Sequence, residues 1–175
     1  METFWRIFEL ILPTLIVVGV VIWMLSRQFD EEEKRRRYQL FRENQKNVTP
    51  MRFTAYERLV LLLERISPES MLVRLQDDTM TSIQFHAALL TAVRAEFEHN
   101  VSQQVYVSDE AWTMVKNAKE SIVQLINSCA AAVPPGNPSI DLAKTILATY
   151  EAAEESPTGL AISFLKQEVK QYFSA

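Results

Sequence analysis

The chain has 175 residues, a formal net charge of −4 and a pI near 5.3. This acidic balance disfavours nucleic acid as a partner, because nucleic-acid binding needs a basic face that follows the phosphates. Cys129 is the single cysteine, so an intramolecular disulfide is excluded and a reducing compartment suits the sequence.

An apolar run near the N-terminus predicts a transmembrane helix within residues 1–27. The roughly nineteen residues from Ile7 to Leu25 contain one strongly polar side chain, Glu9. This length is close to the roughly twenty residues that a helix needs to cross hydrocarbon. A cleaved secretory signal is the main alternative, but the start lacks a basic segment and no small-x-small cleavage pattern follows the run. We therefore expect a single-pass anchor.

The distribution of basic residues predicts the orientation of this anchor. Arg6 alone precedes the apolar run, whereas Arg27 and the four bases Lys34–Arg37 follow it closely. Basic residues near a transmembrane helix favour the cytoplasmic side. The N-terminus is therefore expected outside and the C-terminal domain in the cytoplasm.

Residues 28–49 are predicted to form a charged helical stalk. Asp30–Glu33 are followed directly by Lys34–Arg37, so each acid has a base four positions later on the same helix face. The first interpretation is a solvated helix whose charges neutralise one another. The alternative is that the four bases bind anionic lipid, but the four neighbouring carboxylates compete with the lipid for these bases. The candidate lipid or partner contacts here are Arg35, Arg36, Arg37, Tyr38 and Phe41.

Residues 50–175 are predicted to form one soluble all-α domain, a bundle of about five helices. Few glycines and many good helix formers between the proline clusters favour helices over strands. Short connections favour antiparallel neighbours, with a C-terminal helix pair after a proline-rich break at 133–139. The predicted N-terminal caps are Ser67, Thr81 (in a capping box with Gln84), Ser108, Ser139 and Ser156.

Apolar residues recur at spacings of three and four in each predicted helix, which predicts the faces that form the core. Cys129 is interpreted as a small buried residue, because it lies late in an apolar helix and lacks the basic or helix N-terminal setting of a nucleophilic cysteine. The predicted inward residues are Phe53, Tyr56, Leu59, Val60, Leu62, Leu63 and Ile66; Ile83, Ala87, Leu90, Val93 and Phe97; Trp112, Val115, Ala118, Ile122, Leu125 and Cys129; Ala143, Ile146, Leu147 and Tyr150; and Leu160, Phe164, Leu165, Val169 and Tyr172.

Glu96, Glu98 and His99 are the polar residues that most resemble a chemical site. Glu96-x-x-His99 has the spacing of ferritin-like di-metal sites, but those sites need two such pairs. The one other histidine is His86, so we expect no metal, and the sequence predicts no other cofactor. No glycine-rich phosphate loop, zinc spacing or Ser/His/Asp arrangement stands out. A capping or hydrogen-bonding role for His99 is the simpler interpretation.

The segment from Asn100 to Val107 combines glutamines with an aromatic residue between two strong helices. One interpretation is a loop in which Gln103, Gln104 and Tyr106 bind a partner. The other is a connector whose side-chain amides satisfy backbone groups at the two helix ends.

Two stretches, Tyr56–Pro68 and Glu96–Ser108, with Ala118-Lys119-Glu120 after them, resemble an uncharacterised family of single-pass proteins from Bacteroidota-type bacteria. The likeness covers nearly the whole chain, including the N-terminal run. It implies a location in the bacterial inner membrane and supplies no catalytic residue. Without this resemblance, a signal-anchored receptor of the mitochondrial outer membrane would fit the same pattern.

The sequence thus predicts a non-enzymatic, membrane-anchored helical scaffold or accessory subunit of an inner-membrane protein complex. Its partners would be the lipid bilayer and other membrane or cytoplasmic proteins, and further copies of the chain are a possible third class. The alternative is a membrane-tethered enzyme or ligand sensor that works through Glu96, Glu98 and His99.

Overall fold

The computed structural model describes Trp23, Met24, Arg27, Arg35 and residues 48–153 and 155–174. The chain divides into two compact units, Met1–Thr49 and Pro50–Ala175. In the first unit, the guanidinium of Arg27 lies 5.5 Å from the centre of the Trp23 ring, a cation–π contact. The predicted anchor and stalk fall mostly outside the described residues. None of the helices described is both long enough and apolar enough to cross a membrane.

The second unit is built from helices. They are α1 (helical from residue 48 to residue 66, with residues 50–66 in this unit), α2 (Pro68–Leu75), α3 (Ser82–Asn100), α4 (Asp109–Ala132), α5 (Ser139–Glu151) and α6 (Pro157–Ser174), with a 3-10 turn at Val101–Val105. Residues 48–153 and 155–174 contain no strand and one isolated bridge, between Thr81 and Pro138. The all-α prediction is confirmed, and the expected number of about five helices becomes six when the short α2 is counted.

Local capping signals place four helix starts where the sequence predicts them. The Ser67 hydroxyl accepts from the Ser70 amide at 3.4 Å, and Ser108 accepts from Ala111 at 3.0 Å. Thr81 and Gln84 form the full capping box, in which each side chain accepts from the other residue's backbone amide. At α6, the Ser156 hydroxyl accepts from the amide of Gly159 at 3.1 Å.

The predicted cap at Ser139 is wrong. Pro138 occupies the N-cap position of α5, and Ser139 is its first helical residue. The Ser139 side chain is fully buried and donates to the carbonyl of Asp77 at 2.7 Å. The hydroxyl is therefore used to join α5 to the α2–α3 connection, which a local capping rule cannot anticipate.

The proline-rich break holds α3 and α5 together. The amide of Ser82 donates to the carbonyl of Asn137 at 2.7 Å, and the amide of Ile83 donates to Pro135 at 3.3 Å. In the other direction, the amide of Ser139 donates to Met80 at 3.0 Å. The break is therefore a docked loop within the fold.

α4 lies at the centre of the bundle, in contact with α3, α5 and α6. Its predicted face is largely confirmed, with Val115, Ile122 and Cys129 all buried. The fully buried large side chains of the unit are Leu59, Leu62, Leu63, Ile66, Met71, Phe85, Leu89, Ile122, Ile126, Leu142, Ile146 and Leu165.

The predicted face of α3 is confirmed in part, since Val93 is fully buried and Leu90 and Phe97 pack against the core. Ile83 is 58% exposed and Ala87 is also exposed, whereas Phe85 and Leu89 are fully buried. α3 packs against α2, α4 and α5 at once, so tertiary contacts decide which of its many apolar residues face inward. On α6, Leu160 and Tyr172 were predicted inside and are exposed.

α1 and α6 run antiparallel along one side of the unit. Near the start of α1, the Arg52 guanidinium lies 4.3 Å from the centre of the Tyr172 ring and also donates to the Tyr172 hydroxyl. One turn later, the rings of Tyr56 and Tyr172 are 6.3 Å apart. The start of α1 thus lies beside the end of α6, and this pairing creates the apolar groove described below.

Candidate functional site

Two of the three polar residues singled out in the sequence lie together in a concavity between α1 and α3. Arg65 of α1 donates to Glu96 of α3 at 2.6 Å, and Arg58 lies 3.0 Å from Nε2 of His99. The concavity has a volume of about 370 Å³ and is also lined by Leu61 and Leu62.

The polar groups of this concavity pair with one another. Arginine can only donate hydrogen bonds, so in this contact Nε2 of His99 accepts from Arg58. Glu98 is exposed and does not line the concavity. In the part of the chain that the structure describes, no three His, Cys, Asp or Glu side chains are grouped so as to hold a metal ion.

His86 lies at the other end of α3 and belongs to a different surface. Its Nε2 donates to Oδ1 of Asn127 on α4 at 2.8 Å. The two histidines of the chain are therefore not brought into one site.

Gln103, Gln104 and Tyr106 lie in or directly after the 3-10 turn. Gln104 is exposed, and the Gln103 amide donates to the neighbouring Ser102 hydroxyl at 3.4 Å. The carbonyl of Tyr106 accepts from Nε of Arg52 at 3.1 Å. The segment is thus tied to α1 through its backbone. Among the residues that the structure describes, neither glutamine side chain forms a hydrogen bond with the end of an α-helix.

Most of the predicted lipid or partner contacts of the stalk lie outside the residues that the structure describes. Arg35 is helical and exposed. Arg36, Arg37, Tyr38 and Phe41 lie outside the described residues.

A groove between α1 and α6 has a volume of about 590 Å³, compared with about 370 Å³ for the concavity at Glu96 and His99. Its apolar lining comes from both helices: Phe53, Tyr56, Val60 and Leu61 of α1, and Leu165 and Val169 of α6. Leu61 is 57% exposed and belongs to this contiguous apolar surface. We call this feature the α1–α6 groove.

Charged side chains line the α1–α6 groove with one sign on each helix. α1 contributes Glu57 and Glu64, and α6 contributes Lys166 and Lys170. Within the described residues, Glu57, Glu64 and Lys166 form no ion pair. The groove therefore has an apolar floor, an acidic edge and a basic edge.

Below the groove lies a buried polar mismatch. Neither the hydroxyl of Tyr56 nor Oε2 of Glu168 has a hydrogen-bond partner among the described residues. Burial raises the pKa of the Tyr56 hydroxyl far above its usual value, and weak polar contacts with the neighbouring Tyr172 and Glu168 raise it further, although neither contact has hydrogen-bond geometry. Tyr56 is therefore a neutral, unsatisfied donor next to a carboxylate.

Comparison with protein families matches residues 2–172 to a family of unknown function designated DUF7935. The chain belongs to this family. No curated protein and no solved structure matches the chain.

For this DUF7935 member, the sequence identified the residues of the α1–α6 groove but assigned them to the core. Phe53 and Val60 are half-buried at the groove, whereas Leu59 and Leu63 of the same helix are fully buried. The apolar face of α1 is wider than one neighbouring helix can cover, and Leu61 extends it further. This wide apolar face, which also contains Glu57 and Glu64, is the sequence feature that could have predicted a surface groove.

Proposed function

We propose that the protein is a membrane-anchored, non-enzymatic helical scaffold or accessory subunit of an inner-membrane complex. The N-terminal run anchors it as a single pass, with the N-terminus outside and residues 50–175 in the cytoplasm. The domain binds other proteins through the α1–α6 groove. The apolar run at Ile7–Leu25, the bases that follow it and the resemblance stated above support the anchor, its orientation and the bacterial location.

The α1–α6 groove is the observation that carries the docking function. A contiguous apolar surface between two helices, flanked by charges, is the type of site into which a partner helix packs. The exposed Leu61 and the half-buried Val60 and Val169 would be covered by such a partner. Each apolar side chain removed from water in this way contributes about 25 cal/mol per Å² of covered surface.

The alternative of an enzyme or ligand sensor at Glu96, Glu98 and His99 has less support. Glu96 and His99 are engaged by Arg65 and Arg58, respectively. Glu98 lies outside their concavity. A catalytic acid or base would need access to a substrate proton, and these groups are directed at each other.

Site-specific photo-crosslinking in the native membrane tests the docking function. A photoreactive residue at Leu61 and another at Lys166 sample opposite edges of the α1–α6 groove. We expect both to form a covalent product with a protein chain. Val73 of α2 is the matched control, because it is 88% exposed and lies away from the groove. Equal yields from Val73 and the two groove positions would contradict the proposal.

The topology is tested separately by protease protection in spheroplasts. A C-terminal tag should resist external protease until the membrane is permeabilised. Cleavage of that tag in intact spheroplasts would place the domain outside.

A further inference from the structure

The charges of the α1–α6 groove are arranged so that the surface complements itself. Glu57 and Glu64 are separated by about 10 Å along α1 at 1.5 Å per residue. Because α1 and α6 are antiparallel, with Tyr56 next to Tyr172, Lys166 and Lys170 lie within the stretch of α6 that faces these two glutamates. One helix of the surface is therefore acidic and the other basic over the same length.

A second copy can face this surface in two symmetric ways. With the two-fold axis parallel to the helices, α1 of one copy lies on α6 of the other, and acids meet bases. With the axis perpendicular to the helices, α1 lies on α1 and α6 on α6, so like charges oppose one another. Electrostatic complementarity selects the first arrangement and rejects the second.

We propose that the occupant of the α1–α6 groove is a second copy of this chain, packed about a two-fold axis parallel to α1 and α6. This inference rests on the proposed docking function of the groove and names its partner. In the dimer, α1 and α6 of each copy form a four-helix arrangement in which every neighbouring pair is antiparallel. The glutamates Glu57 and Glu64 of each copy then face Lys166 and Lys170 of the other.

The direction of α1 fits the membrane anchor proposed above. A two-fold axis parallel to the helices keeps the two α1 helices parallel, so residue 50 of both copies lies at the same end of the dimer. The perpendicular axis would instead place the two residues 50 at opposite ends. Two chains anchored in one membrane through the segment before residue 50 fit the parallel axis better.

An unrelated amphipathic helix fits the groove less well. It would need bases along the flank that faces α1 and acids along the flank that faces α6, whereas a second copy supplies both by symmetry. The apolar residues also match, because the groove lining includes Leu61 on α1 and Val169 on α6, and in this arrangement each α1 is covered by the α6 of the other copy. The experiment below distinguishes binding of a second copy from binding of a different protein.

Charge reversal in the full-length chain tests the dimer. Association is measured by energy transfer between two labelled populations in lipid vesicles of increasing lipid-to-protein ratio. The α1 variant Glu57→Lys/Glu64→Lys and the α6 variant Lys166→Glu/Lys170→Glu should each lose self-association on the order of a hundredfold, because four attractive contacts become repulsive. A mixture of the two variants should associate like the unmodified chain, since every contact then again joins opposite charges.

A chain carrying all four reversals should also regain self-association. The matched control, Glu69→Lys/Lys144→Glu, reverses two exposed charges outside the groove and should associate like the unmodified chain. Circular dichroism of each variant shows whether it folds, and recovery in the mixture shows it a second time.

Two outcomes overturn the inference. One is a chain that stays monomeric at every lipid ratio. The other is a dimer that the charge reversals do not weaken, or that the mixture does not restore. If either occurs while Leu61 and Lys166 still crosslink to a different protein, the docking function stands and the second copy is rejected. If the groove crosslinks to nothing, both proposals are wrong.

Discussion

Replacing Tyr56 by Phe should stabilise the folded chain at neutral pH. The Tyr56 side chain is 3% exposed and its hydroxyl has no partner among the described residues. An unsatisfied buried polar group costs roughly 1–3 kcal/mol, whereas Phe keeps the ring and its packing. We expect the free energy of unfolding to rise by about 1 kcal/mol, the lower end of that range. Exposure of the ring on unfolding is common to both proteins and cancels in this difference.

The same substitution should remove part of the loss of stability in alkali. Burial raises the pKa of Tyr56 in the folded chain, whereas in the unfolded chain it titrates near its usual value of about 10. As the pH rises, the unfolded state therefore releases this proton before the folded state does. The stability of the folded chain is unaffected by this titration below about pH 10 and decreases as the pH rises above that value. At pH 11 the loss is about 1.4 kcal/mol, and Phe at this position abolishes it.

Urea unfolding of the full chain at pH 7 and pH 11 checks both statements. Fluorescence of the buried Trp112 reports the transition when Trp5 and Trp23 are replaced by Phe. Tyr106→Phe is the control, because that side chain is only half-buried and should change neither value. A Tyr56→Phe chain that is less stable at pH 7 would show that the hydroxyl has a favourable partner and would refute the reasoning.

Four further substitutions test the packing of α3, the capping box and the Ser139 hydrogen bond by urea unfolding. Phe85→Ala should lower the free energy of unfolding by about 3–5 kcal/mol, because it leaves a cavity at a fully buried site. Ile83→Ala should lower it by less than about 1 kcal/mol, because Ile83 is exposed. Equal losses would indicate that Ile83 faces the core, as predicted from the sequence. Thr81→Ala should cost about 1 kcal/mol through loss of the capping box, and an unchanged midpoint would contradict that role. Ser139→Ala should cost about 1 kcal/mol, because the buried Ser139 hydroxyl no longer joins α5 to the carbonyl of Asp77, although that carbonyl still accepts from the amide of Met80. An unchanged free energy of unfolding would contradict a stabilising role for this hydrogen bond.

Helix starts were the best-predicted part of the fold because capping is local. Ser67, Thr81 and Ser108 each accept from an amide three residues ahead, so the signal and its partner lie in the same short segment. Ser139 has the same local appearance, yet its hydroxyl reaches Asp77, sixty-two positions away. The sequence holds no local sign of that partner.

Helix faces and the α1–α6 groove were predicted less well because they depend on the number of neighbours. α3 has apolar residues on most sides, and contacts with three helices select Phe85 and Leu89 over Ile83. On α1, periodicity identifies an apolar face but not how much of it α6 covers. The pairing of His99 with Arg58 also joins residues forty-one positions apart, which spacing within one helix cannot reveal.

The docked proline-rich loop makes the beginning of α3 depend on a segment more than fifty residues away. The first amides of a helix have no acceptor within it, and here Ser82 and Ile83 donate to carbonyls of Asn137 and Pro135. A chain cut within this loop would lose those two acceptors and expose the start of α3 to solvent exchange. Residues 134–138 are therefore a poor place for a tag or an insertion, although their composition resembles that of a linker.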